Sequence, residues 1–182
     1  MGRGPALQEE RLSSERVFEG RVVRVEVDTV RLPDGRETRR EVVRHGDAVM
    51  LIPWLDEEHV VLVRQFRYAV GQALLELPAG LLDRPGEAIE SCAQRELREE
   101  TGYRAAHLEK VVTFYTTPGF TDEVIHCFRA TGLTPEAGED EADERLEVVP
   151  MAHTEALELI RRGEIRDGKT ILGLLWEKGF PA

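Results

Sequence analysis

The feature that most constrains this chain is a helical stretch ending at Gly102 that carries three carboxylates on its apolar side. At about 100° per residue, with Glu96 as the reference direction, Ile89 falls near 20°, Ala93 near 60°, Leu97 near 100° and Cys92 near −40°. Glu100 then falls near 40° and Glu99 near −60°, while Ser91, Gln94 and Arg98 take the opposite side. The carboxylates therefore extend the buried stripe instead of the solvated face. Surface acids pairing with arginines at helical spacing, such as Arg95, are the ordinary alternative. That alternative leaves unexplained why like charges share the inward side and crowd a C-terminal turn, where the helix dipole disfavours anions. A hard divalent cation with oxygen ligands resolves both conflicts.

The rest of the pattern embeds this helix in a mixed α/β chain. Val23, Val25 and Val27 alternate with charged residues, Leu32-Pro33-Asp34-Gly35 is a turn, and Glu41-Val42-Val43 begins a returning strand. Further strands are predicted at Ala48–Pro53, His59–Phe66, Ala73–Leu77, Lys110–Thr116, Val124–Ala130 and Leu146–Val149. Pro85-Gly86-Glu87 reads as the start of the central helix and Gly102 as its terminating glycine; Thr154–Arg162 and Lys169–Glu177 carry helical periodicity. The order implies one α/β domain with a mixed sheet, residues 46–182, preceded by an antiparallel N-terminal β segment, residues 1–45, in the form of a hairpin of about forty residues.

Composition narrows the function class. With 24 basic against 35 acidic residues the net charge is −11, which argues against nucleic acid as a partner. The acids gather at Glu96–Glu100 and Glu136–Glu147, and both groups would repel a phosphate unless divalent cations intervened. The longest apolar run, Ala48–Leu55, is far short of the roughly 20 residues that span a bilayer, so no membrane association is expected. Met1–Ser14 lacks the apolar segment of a secretion signal, and Cys92 and Cys127 stand in no metal or redox spacing. A cytoplasmic protein with two small buried cysteines is the expectation.

At this point the residues resemble a known family. Arg95-Glu96-Leu97-Arg98-Glu99-Glu100-Thr101-Gly102-Tyr103, with Glu87 eight positions before Arg95, resembles the Nudix box. Gly80 lies seven positions before Glu87 where that box has six, an insertion placed at Asp83–Pro85 in the loop. Val63-Arg64-Gln65-Phe66-Arg67, Glu76-Leu77-Pro78-Ala79-Gly80 and Thr117-Pro118-Gly119-Phe120-Thr121-Asp122-Glu123 are similar to the ADP-ribose pyrophosphatase branch, with Pro118 its marker proline. The resemblance runs over roughly Val17–Glu177.

The resemblance implies an α/β/α sandwich around a mixed sheet and a homodimer built through the N-terminal β segment. It implies hydrolysis of ADP-ribose to AMP and ribose 5-phosphate by a metal-activated water, with Mg²⁺ or Mn²⁺. Another nucleoside diphosphate sugar, such as GDP-mannose, is the nearest alternative; a nucleotide sensor without catalysis is a further one, disfavoured by the intact box acids. By resemblance, Glu96 and Glu100 are the principal metal ligands, Glu99 assists, and the Ala79 carbonyl completes the set. Arg95 orients a box glutamate on the substrate side, Arg67 meets the diphosphate, and Glu123 accepts from a ribose hydroxyl. The general base is sought in the acidic loop, first at Glu144 and then Glu141, with Asp143 third; Glu99 is the remaining catalytic candidate.

Overall fold

Alternation sets the architecture from its centre. The strand Ala48–Pro53 is buried at every position, which a strand requires only when both faces are covered. In the computed structural model, which describes residues 7–136 and 146–179, its two faces serve different cores. Ala48, Met50 and Ile52 join a cluster with Leu62, Leu77, Cys127, Ala156, Ile165 and Leu174. Val49 and Leu51 join Cys92, Ala93, Leu97, Ala105, Phe128 and Ala130. One helix layer covers the second face and the two C-terminal helices the first, which is the sandwich that the resemblance implies.

In chain order the elements are β1 (Glu10–Glu19), β2 (Arg24–Arg31), β3 (Glu37–Arg44), β4 (Ala48–Pro53), β5 (His59–Arg67), β6 (Gln72–Glu76), β7 (Ala79–Leu81), α1 (Ile89–Thr101), β8 (Tyr103–Tyr115), β9 (Val124–Pro135), β10 (Leu146–Ala152), α2 (His153–Arg161) and α3 (Gly168–Gly179). Two compact units emerge, one of Met1–Gly46 with Tyr115–Val124, the other of Asp47–Phe114 with Ile125–Ala182.

The first unit holds the antiparallel sheet β1-β2-β3. Its second turn follows the sequence: Gly35 takes φ 86° and donates to the Leu32 carbonyl at 2.9 Å. The expected hairpin is a three-stranded sheet, however. β1 gives no apolar alternation because all ten of its residues are exposed, so nothing in its own chain demands a pattern. Within this unit Arg44 gathers Glu26 at 2.8 Å, Asp122 at 3.1 Å and Asp28 at 3.6 Å, which is how an acid such as Asp28 comes to be buried.

The second unit contains the sheets β10-β5-β6 and β7-β4-β9-β8. β4 and β9 run parallel, Val49 opposite His126, while β4 and β7 run antiparallel, making the sheet mixed. β8 begins seven residues before the predicted Lys110, because it is an outer strand whose polar residues hide the alternation. α1 starts at Ile89, not at Pro85-Gly86-Glu87. Those three form a turn closed by Glu87 N–H to the Arg84 carbonyl at 3.1 Å, with Gly86 at φ 78°, a conformation no helix accommodates. Gly102 ends α1 as predicted, at φ 71°, with its N–H on the Arg98 carbonyl. No described helix is long and apolar enough to cross a membrane.

Candidate active site

The second unit brings the box carboxylates against β7. Helical periodicity directs Glu96 and Glu100 inward, and both are buried, as are Cys92, Ala93 and Leu97 on the same side. Three close approaches define the place. Ala79 N–H donates to Glu100 Oε2 at 3.1 Å. A Cβ built on Gly80 would lie 2.0 Å from Glu96 Cδ and 2.1 and 2.4 Å from its two oxygens, so only glycine leaves that carboxylate its room. Pro78 offers its carbonyl to Leu51 N–H at 2.9 Å, which pins the same stretch to β4.

Arg95 is the hub of the remaining charge. Its guanidinium, 8% exposed, grips Glu87 in a two-pronged pair at 3.0 Å each, reaches Glu99 at 3.0 Å, and also pairs with Glu96. A further N–H lies 3.3 Å from the Leu81 carbonyl. The Glu87 hydrogen bonds, helped by Glu96 and Glu99, raise the Arg95 pKa well above the usual arginine range despite burial. The same bonds hold the Glu87 carboxyl below the usual carboxylate range. Glu87 sits in the Gly86 turn ahead of α1 and from there reaches Arg95.

Among the described residues no three His, Cys, Asp or Glu side chains converge as a ready-made ligand group; Arg95 instead holds Glu96 and Glu99. The donor chemistry still suits a hard divalent cation, since the Gly80 cradle keeps two carboxylates and a backbone turn within a few ångströms without an intervening side chain. A groove of about 420 Å³ also crosses α1, bordered by Arg84, Gln94, Arg98 and Arg104 and reaching Glu87 and Arg95 at one edge. Its Gln94 and Arg98 lie on the side of α1 opposite Glu96, and neither Glu96 nor Glu100 lines it.

Arg67 occupies the end of β5, where it makes a bidentate pair with Glu76 at 2.8 Å on both prongs. Glu76 is 1% exposed. Burial would raise its pKa, but Arg67 and Lys169 outweigh that and hold it low. Sequence reading singled out Arg67 and missed the Glu76–Lys169 pair beside it; the one available signal was an acid inside an otherwise apolar strand. In the first unit, Glu123 accepts from Thr116 Oγ1 at 2.6 Å and faces His45 Nδ1 at 3.3 Å. Glu144 and Glu141, with Asp143, lie outside the described residues.

The comparisons with known proteins join these observations. The NUDIX domain matches residues 44–172, which include the whole carboxylate cradle. This chain is a Nudix hydrolase. Ahead of that domain, residues 9–43 match the nucleoside diphosphate sugar hydrolase N-terminal domain. The Nudix chain is 41% identical to an ADP-ribose pyrophosphatase of Bacillus subtilis over 91% of its length and 90% of the relative's. It is 40% identical to a methanol dehydrogenase activator of Bacillus methanolicus, covering 94% and 93% of the two chains. A GDP-mannose pyrophosphatase of Cronobacter sakazakii is 43% identical over 76% of this chain and 78% of its own. Among solved structures, an ADP compounds hydrolase superimposes with a TM-score of 0.86 at 26% identity, covering 98% of this chain and 99% of that one. Nudix hydrolases generally require a divalent metal, in keeping with the oxygen-rich cradle.

Proposed function

We propose that this Nudix hydrolase cleaves ADP-ribose at the diphosphate, giving AMP and ribose 5-phosphate, in the presence of Mg²⁺ or Mn²⁺. The observation that carries the reading is the Gly80 cradle, where Glu96 and Glu100 meet the Ala79 turn. A divalent cation bound there would neutralise the diphosphate and lower the pKa of a water.

The chain's own residues divide the remaining work. Glu96 and Glu100 would hold the cation with the Ala79 carbonyl, and Glu99 would assist. Arg95 orients Glu96 and Glu99 through charge-assisted hydrogen bonds from Nη1, while Nε and Nη2 are held by Glu87. Arg67, fixed in direction by Glu76, offers its remaining exposed edge to a phosphate oxygen. Glu123 as acceptor for a ribose hydroxyl, and Glu144 before Glu141 as the base that takes the proton of the attacking water, rest on resemblance alone.

ADP-ribose is preferred over GDP-mannose because the ADP-ribose pyrophosphatase likeness extends over 91% of the chain and the GDP-mannose one over 76%. The test is a side-by-side assay of ADP-ribose, other ADP-sugars, dinucleotides and GDP-mannose. The highest kcat/KM is expected for ADP-ribose; equal or greater turnover of GDP-mannose overturns the preference.

The assembly proposed is a homodimer through the N-terminal sheet. It is supported by β1, which exposes Leu12, Val17 and Phe18 along an outer strand. A reducing, cytoplasmic setting is proposed from Cys92 and Cys127, which are free and buried, with burial pushing both thiols up to about 12.

A further inference from the structure

The first turn of α3 touches the metal-facing loop from behind. Thr170 is 0% exposed, and its Oγ1 accepts the Leu77 N–H at 2.8 Å. The same hydroxyl donates to Asp167 Oδ2 at 2.6 Å, and Asp167 also accepts Thr170 N–H at 3.0 Å and Lys169 Nζ at 2.9 Å. Lys169 in turn pairs with Glu76, the residue before Leu77. A hydroxyl has one proton; with that proton given to Asp167, its lone pair is directed at Leu77.

Leu77-Pro78-Ala79 is thus suspended at three successive points: Leu77 N–H on Thr170, Pro78 carbonyl on Leu51, and Ala79 N–H on Glu100. The Thr170 bond fixes the peptide plane between Glu76 and Leu77, and the Leu51 and Glu100 bonds hold opposite edges of the plane between Pro78 and Ala79, so the segment is anchored at both ends. A helix N-terminus needs only a cap at Asp167. It does not need a buried threonine reaching a loop 93 residues away in sequence, so the Thr170–Leu77 bond serves the loop and not the helix.

We propose that Thr170, with Asp167 fixing its hydroxyl, is a positioning residue that anchors the segment leading into Ala79 and Gly80 and thereby sets the affinity of the metal site beside it. The inference rests on the reading of Ala79 and Glu100 as metal-holding groups. Residues that orient ligands from behind are worth about tenfold or more in metal affinity.

The test is Mn²⁺ binding to the full chain without substrate, followed by the electron paramagnetic resonance signal of free Mn²⁺, with ADP-ribose kinetics alongside. Thr170→Val is expected to weaken Mn²⁺ binding about tenfold while the KM for ADP-ribose at saturating Mn²⁺ stays unchanged. Thr170→Ser, which keeps the hydroxyl, is expected to restore the wild-type value. Wild-type binding by Thr170→Val, or equal weakening by Thr170→Ser, overturns the proposal. If Thr170→Val does not fold, Asp167→Asn carries the test: it keeps the cap but weakens the acceptor of the hydroxyl. Weakened Mn²⁺ binding by Asp167→Asn supports the role and an unchanged value overturns it. Glu100→Gln separates the two readings. Wild-type binding in that variant removes the metal assignment and the clamp together, whereas weak binding there beside normal Thr170→Val removes the clamp alone.

Discussion

Gly80 and Glu96 stand so close that a single methyl group on the glycine would lie 2.0 Å from the glutamate's carboxyl carbon. The clash falls on the far end of a flexible side chain, so Glu96 can swing away at little cost to folding. Gly80→Ala is therefore expected to leave the melting temperature within a few degrees of wild type and to lower kcat about a hundredfold, the scale set by displacing a reacting centre by about 1 Å. Thermal melts and steady-state kinetics on one preparation check both halves; a destabilised but fully active variant would make the glycine a packing residue only.

Arg95 neutralises largely covered acids that would otherwise repel one another. Glu87, Glu96 and Glu99 have side chains between 11% and 12% exposed around it. Arg95→Met removes the cation that pairs with all three and is expected to destabilise the metal-free protein by about 3–5 kcal/mol, as breaking a buried pair does. Divalent cation should recover part of that loss, so Mn²⁺ is expected to raise the melting temperature more in the variant than in wild type. Differential scanning calorimetry with and without Mn²⁺ measures this, and equal shifts would contradict the hub role.

Glu76 gives a pH signature. Its folded pKa is held below the unfolded value by Arg67 and Lys169, so its stabilising contribution is complete above the unfolded pKa, about 4.3. That contribution is lost as pH falls through the folded value. Wild type is therefore expected to lose stability more steeply than Glu76→Gln below about pH 4. Parallel denaturation curves between pH 3 and 7 that never converge on the acid side would rule this out.

Phe18 and Val17 sit exposed on β1, at 54% and 53%. Placing a glutamate at Phe18 is expected to shift a dimer toward monomer at micromolar concentration, read by sedimentation equilibrium. An unchanged mass in the variant, or a monomeric wild type, would remove the interface from β1.

Much of the fold was legible because it follows from alternation and punctuation. β4 read as an apolar run, Gly35 and Gly102 marked a turn and a helix end, and helical periodicity aimed Glu96 and Glu100 inward. What stayed hidden had physical causes. β1 buries nothing in its own chain, so no pattern wrote it into the sequence. The helix start shifted because the left-handed Gly86 forms a turn whose local composition mimics a cap. Thr170 and Leu77 are 93 residues apart in sequence, and no local spacing announces a contact between a helix and a loop so distant.

The central claim, that the Glu96–Glu100 cradle holds a divalent cation for diphosphate cleavage, is tested most directly by Glu100→Gln. The amide keeps the shape and can still accept the Ala79 N–H, so the fold is expected to survive with an unchanged circular dichroism spectrum. Mn²⁺ binding and ADP-ribose turnover should both fall by at least about a hundredfold. A folded variant that binds Mn²⁺ and hydrolyses ADP-ribose at the wild-type rate would contradict the account.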